Sequence, residues 1–199
     1  MKQYTKKLFF AFSICLVSFG IQAQITWTNG GGTGVWSDPN NWSTLAVPTN
    51  VDDVIFDNTS TANCSINVNA GVNNLSILTG YTGTITDAGF GCLVNNDFVM
   101  DAGTYDAGSA TFDVVGLTTI TGGIFNANSA IVLFGSDAVI SGGTVNSGSG
   151  SVDFNGTLLQ SGGVFNGNTA SIGVNSTFTI SAGTFNGNTS SVLFVGNFL

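Results

Sequence analysis

The sequence predicts an all-β chain wound into a parallel β-helix, a right-handed solenoid of 20-residue coils with a tryptophan-containing cap at its N-terminal end. Three observations carry this. Gly103, Gly123, Gly143, Gly163 and Gly183 stand 20 residues apart. The residues between them repeat in step, and self-similarity at a short fixed period marks a solenoid whose coils bury their apolar sides only against one another. Within each repeat, apolar and polar residues alternate, the pattern of a strand with one buried side.

The elements follow in chain order. Residues 1–23 read as a secretory signal peptide. Lys2, Lys6 and Lys7 precede an apolar run from Leu8 to Phe19, and Ile21-Gln22-Ala23 offers a small-residue cleavage site. Phe12-Ser13-Ile14 before Cys15 is a poor lipobox, so a lipid anchor is not expected. Residues 24–61 hold all three tryptophans, Trp27, Trp36 and Trp42. They read as a β cap, because the first coil of a solenoid otherwise exposes strand edges and an apolar cross-section. Residues 62–199 are the coils. The chain stops at Leu199 inside a coil, with no polar capping repeat after it. The expectation is further coils or end-to-end self-association.

Each coil can be read from its lead glycine. Two residues on, Tyr105, Phe125, Val145, Phe165 and Phe185 form an inward core stack. Next come Asp106, Asn126, Asn146, Asn166 and Asn186, a column suited to a ladder of stacked side-chain amides. Gly108, Asn128, Gly148, Asn168 and Asn188 mark a corner, since Gly and Asn tolerate left-handed backbone angles. Alternating strands follow, such as Ala130-Val132-Phe134 and Ala138-Ile140, with a second corner at Ser136 and a third at Gly142-Gly143.

Composition excludes several functions. All three lysines lie in the first seven residues, Arg and His are absent, and all eleven acidic residues are Asp beyond Ala23. Without residues 1–23 the formal charge is −11, from 0 basic minus 11 acidic. Nothing there neutralises phosphates, so nucleic acid is not a partner, and neither docking to an anionic membrane nor insertion into one after signal cleavage is expected. The chain lacks His as general base and cannot assemble a Ser-His-Asp or Cys-His pair. A glycosidase built from two Asp remains chemically open. Asp113 and Asp153 share one coil slot two coils apart, about 9.6 Å at the spacing of stacked strands, near the upper limit for an inverting pair.

No cofactor or metal is expected. Cys64 and Cys92 alone make no zinc site and read as buried thiols. Asp38, Asp52, Asp53 and Asp57 gather near the cap and have calcium-ligand chemistry, but read as loop caps and solvated charges. Trp27, Trp36 and Trp42 form either a stacking platform for a sugar or the cap's own small core. Rows such as Thr119-Ile120-Thr121 and Thr177-Phe178-Thr179 raise ice binding as an alternative, although Val139-Ile140-Ser141 and Leu159-Gln160-Ser161 interrupt them.

The order Trp27, Gly34-Val35-Trp36, Asn41-Trp42, Pro48, Asp52-Asp53-Val54-Ile55-Phe56 resembles the start of many secreted β-helical surface proteins. Coils such as Gly183-Thr184-Phe185-Asn186-Gly187-Asn188-Thr189 resemble their repeats. These are autotransporter-type passenger domains and large repeat proteins of the Bacteroidota. The resemblance implies a secreted or cell-surface structural or adhesive module, in families whose ligands are mostly unknown; a glycan or a host-surface molecule is the candidate partner, and no enzymatic activity is expected. A carbohydrate-binding or carbohydrate-active solenoid using Asp residues is the alternative, and an ice-binding solenoid the second.

Overall fold

A computed structural model of the chain describes residues 24–199; the signal peptide expected over 1–23 lies outside the described residues. Three strands alternate around each coil. The first face holds strands such as Phe98–Met100, Thr118–Ile120 and Ala138–Ile140, and the second holds Thr104–Asp106, Ile124–Asn126 and Thr144–Asn146. The third holds Thr111–Val114, Ile131–Phe134 and Ser151–Phe154. Leu158–Asn166 and Phe178–Asn186 run through the corner between the first two faces and join them into one 13-stranded sheet. The third face is a separate sheet of 7 strands, so the chain completes seven coils. All pairings between named strands are parallel, and equivalent residues sit level: Thr118 beside Ala138, Phe125 beside Val145, Val132 beside Val152.

Parallel stacking explains the repeat. Each coil lies on a copy of itself, so each slot faces the same demand in every coil. The inward rows of the three faces fill one continuous core, with Phe98, Tyr105, Phe112, Ile120, Phe125, Val132, Phe134, Val145 and Phe154 all buried. Corners meet the demand through the backbone. Gly108, Asn128, Gly148, Asn168 and Asn188 have φ of 66°, 55°, 67°, 52° and 49°, the left-handed region that only Gly and Asn enter readily. At the Gly142-Gly143 corner, a methyl on Gly142 would run into the Thr121 carbonyl oxygen one coil below.

Residues 24–61, read as a β cap, are tied into the first face by backbone pairing. Gln24–Thr26 pairs in parallel with Asp53–Phe56, which pairs with Asn74–Ile77, so both are already rungs of the first face. Val35 bridges Ser65 in the same parallel sense. The repeat is stretched here, Leu75 lying level with Phe98 23 positions on. The corner after Leu78 carries the Tyr81 ring inward onto Phe56, 5.2 Å between centroids, and its hydroxyl donates to the Ala62 carbonyl at 3.0 Å. At the other end the last coil leaves Leu193, Val195, Phe198 and Leu199 exposed.

Candidate functional site

The column of asparagines is a continuous amide chain. Asn146 Nδ2 donates to Asn126 Oδ1 at 2.8 Å, Asn166 to Asn146 at 2.8 Å and Asn186 to Asn166 at 2.9 Å. Asn126 Nδ2 in turn donates to the Asp106 carboxylate at 2.6 Å. Every bond points the same way, so the amide dipoles add, with their donor end toward Asp106. A carboxylate there is a charge-assisted acceptor placed against the positive end of the chain. The core stack runs beside it: Tyr105, Phe125, Val145 and Phe165 are buried and Phe185 is half-buried. Tyr105 and Phe125 stack at 5.6 Å and 5°, Phe165 and Phe185 at 5.1 Å and 17°. Both columns hold the solenoid together; of their buried side-chain polar atoms the Tyr105 hydroxyl alone is left without a partner, and it is closed off from solvent.

Trp27, Trp36 and Trp42 are 0%, 1% and 1% exposed, so none offers a ring to a sugar. They pack edge-on, Trp27 and Trp36 each against Trp42 at 5.0 and 4.7 Å, and all three rest on Phe56. Trp42 Nε1 donates to the Trp36 carbonyl and Trp27 Nε1 to the Ala62 carbonyl, so the burial strands neither indole N–H. The physical reason is the open first coil: its apolar cross-section is larger than any smaller side chains would cover.

The acidic residues of the cap are similarly occupied. Asp38 accepts from Thr33 Oγ1 at 2.7 Å and from Asn40 N at 3.0 Å, bonds that hold its carboxyl below the ordinary value, and so caps the 3-10 turn Pro39–Asn41. Asp52 accepts from Thr49, Asp53 from the side-chain amides of Asn73 and Asn74, and Asp57 from Thr59 N. Among the described residues no three His, Cys, Asp or Glu side chains stand together as a metal site. Cys64 and Cys92 are free, buried thiols, raised by desolvation.

Asp113 and Asp153 do share a column on the third face, with Leu133 level between them. Partial burial raises the Asp153 carboxyl. The rows that suggested ice binding are mixed: Thr119, Val139, Leu159 and Thr179 lie level on the first face, and Thr104, Ile124, Thr144 and Val164 on the second.

Open grooves interrupt the surface of the described residues, and two of them have polar linings. One, of about 260 Å³, lies over Asp53, Asn74 and Asp97 on the first face, where the two carboxylates already hold Asn73, Asn74 and the Leu117 N–H. The other, of about 460 Å³, lies on the third face between Asn69, Phe90, Leu93, Thr111 and Asp113. Sequence reasoning passed over Phe90. Its signal was a break in a column: Ala110, Ala130, Gly150, Ala170 and Ser190 occupy the same slot in later coils.

The fold and surface define a β-solenoid of about seven turns. No protein-family model, curated protein or solved structure matches the chain.

Proposed function

We infer that the chain is a secreted or cell-surface structural module, a stiff acidic β-solenoid that holds or spaces a binding surface and does not turn over a substrate. One observation carries the reading: most of the carboxylates that could do chemistry bond the solenoid's own backbone and side chains instead. Nine of the eleven aspartates accept a hydrogen bond from the protein, as Asp97 does from Leu117 N, Asp137 from Thr157 N and Asp106 from Asn126. With His and Arg absent and every Lys inside residues 1–7, no base or cation stands beside the remaining two. A repeat fold of this kind extends linearly and presents long lateral faces. The likeness to autotransporter-type and Bacteroidota surface solenoids, carried by the cap and coil motifs, supports export and an adhesive role.

The test is localisation in a producing cell. Antibody against the coils should label intact cells or the medium, and the labelled chain should begin near Gln24. A chain found only inside the cell with residues 1–23 attached would overturn the reading. So would release of reducing sugar from a polysaccharide that disappears in Asp113→Asn.

A further inference from the structure

Stacking accounts for every feature that repeats, so the features that break the repeat call for another cause. The sharpest break is the corner at residues 87–91. Elsewhere this corner carries a small residue on its inner side, Ala107 or Ala127, and another at its far end, Ala130 or Ala170, all fully buried. Here the corner is turned inside out. Asp87, 2% exposed, enters the interior, and its Oδ1 accepts from the backbone N–H of Gly89, Phe90 and Gly91 at 2.9, 2.8 and 3.1 Å. Gly89 and Gly91 take φ of 95° and 83° to let the chain wrap that carboxylate. Phe90, in the slot of the buried alanines, is driven outward and is 46% exposed. Before the last coil it is the one exposed aromatic ring among the described residues.

The ring stands over the 460 Å³ groove, whose polar lining includes Asn69, Thr111 and Asp113. Asp113 and Asp153 are the two aspartates that accept no hydrogen bond from any described residue. They fall in one outward column of the third face, Leu93, Asp113, Leu133, Asp153, rising at about 4.8 Å per coil. The column continues through Gly173 to exposed Leu193, and at Gly173 any side chain would displace the Asp153 carboxylate that leans over it. Exposed ring, uncommitted carboxylates and shallow groove thus lie on one face of the three.

We propose that this strip of the third face is a glycan-binding groove, with Phe90 as the stacking platform and Asp113 and Asp153 as acceptors for sugar hydroxyls. The proposal rests on the surface-module reading and names its ligand class. A sugar ring offers an apolar C–H face for an aromatic side chain and hydroxyls at its rim, and Asn69, Thr111 and Asp113 sit at that rim. The groove is open, which suits a polymer laid along the solenoid axis better than an enclosed small molecule. The ligand is a neutral polysaccharide: beyond residue 7 no Lys, Arg or His exists to meet a sulfate or uronate, and the two carboxylates repel them.

Native-gel retardation of the chain by soluble laminarin, mannan, xylan, heparin and polygalacturonate, with nona-arginine as a basic-peptide probe, tests this. Retardation by at least one of the three neutral polysaccharides is expected, and by neither heparin nor polygalacturonate. Phe90→Ala and Asp113→Asn should each weaken it about tenfold or more, Phe90→Trp should retain it, and Thr144→Ala on the second face should leave it unchanged. Circular dichroism checks that each variant keeps its β spectrum. Phe90 is exposed, so its replacement tests the groove and not the fold. No retardation by a neutral polysaccharide, equal retardation of all variants, or binding of nona-arginine alone would each overturn the glycan assignment. Surface labelling of cells producing Phe90→Ala should match the parent, so a failed groove and a failed surface-module reading give different results.

Discussion

Phe125→Ala tests the interior most directly. Phe125 is fully buried on the second face, level with Tyr105 and Val145. Its ring lies 5.6 Å from Tyr105, 5.4 Å from Phe112, 6.1 Å from Phe98 and 6.0 Å from Phe134. Truncating a buried Phe to Ala costs about 3–5 kcal/mol through lost burial and the cavity left behind. Two effects push this variant to about 4–5 kcal/mol. Four aromatic pairs are lost together, each worth about 0.5–1.5 kcal/mol beyond its area. The cavity also cannot close, because parallel ladders on all three faces hold the surrounding coils at fixed spacing. Urea unfolding followed by far-ultraviolet circular dichroism measures the change, with exposed Thr169→Ala expected within about 0.5 kcal/mol of the parent. Each coil touches only its neighbours, so hydrogen exchange should quicken around residues 98–134 and stay unchanged in the tryptophan cap. Equal shifts for Phe125→Ala and Thr169→Ala, or faster exchange spread over the whole chain, would refute a close-packed, locally coupled core.

Three further outcomes follow from the same geometry. Asn146→Ala leaves the Asn166 amide without its acceptor and Asn126 Oδ1 without its donor. It should cost about 1–3 kcal/mol in the same melts, and additivity with Asn126→Ala would deny a coupled ladder. Desolvation raises the Asp153 carboxyl above its ordinary 3.8, so the folded chain binds its proton more tightly than the unfolded chain. That contribution is present below pH 3.8 and is lost as pH rises through the raised value. Asp153→Asn should therefore gain on the parent between about pH 3 and pH 7 in paired melts, and a flat or reversed difference would contradict the burial. Burial pushes the Cys92 thiol up to about 12 and the Cys64 thiol up as well, so neither should react with Ellman's reagent at pH 8 until guanidinium unfolds the chain. Rapid native reaction would place them at the surface.

The coil architecture is legible in the sequence because stacking applies one physical demand at every 20th residue. Gly142 must avoid the carbonyl below it, Asn146 must bond the amide below it, and Phe125 must cover the ring below it. Even the corner at Asn128 and Gly148, with its left-handed angles, follows from residue type alone. Legibility stops where the chain packs on something other than its own copy. The strands Gln24–Thr26 and Asp53–Phe56 join the first face through backbone bonds that leave no period behind, so the start of the solenoid is hidden in what reads as a cap. Three tryptophans serve equally well as a binding platform or as a plug, and only the open end of the first coil makes them a plug. The groove is the extreme case. Phe90 faces outward because Asp87, three residues earlier, closes three backbone N–H groups from inside. Which aspartates remain uncommitted depends on where every other donor in the solenoid is spent. Composition and period determine that this chain is an acidic β-solenoid; the tertiary structure decides which of its faces is left with unsatisfied chemistry, because hydrogen-bond satisfaction is a property of the assembled coils and not of any one of them.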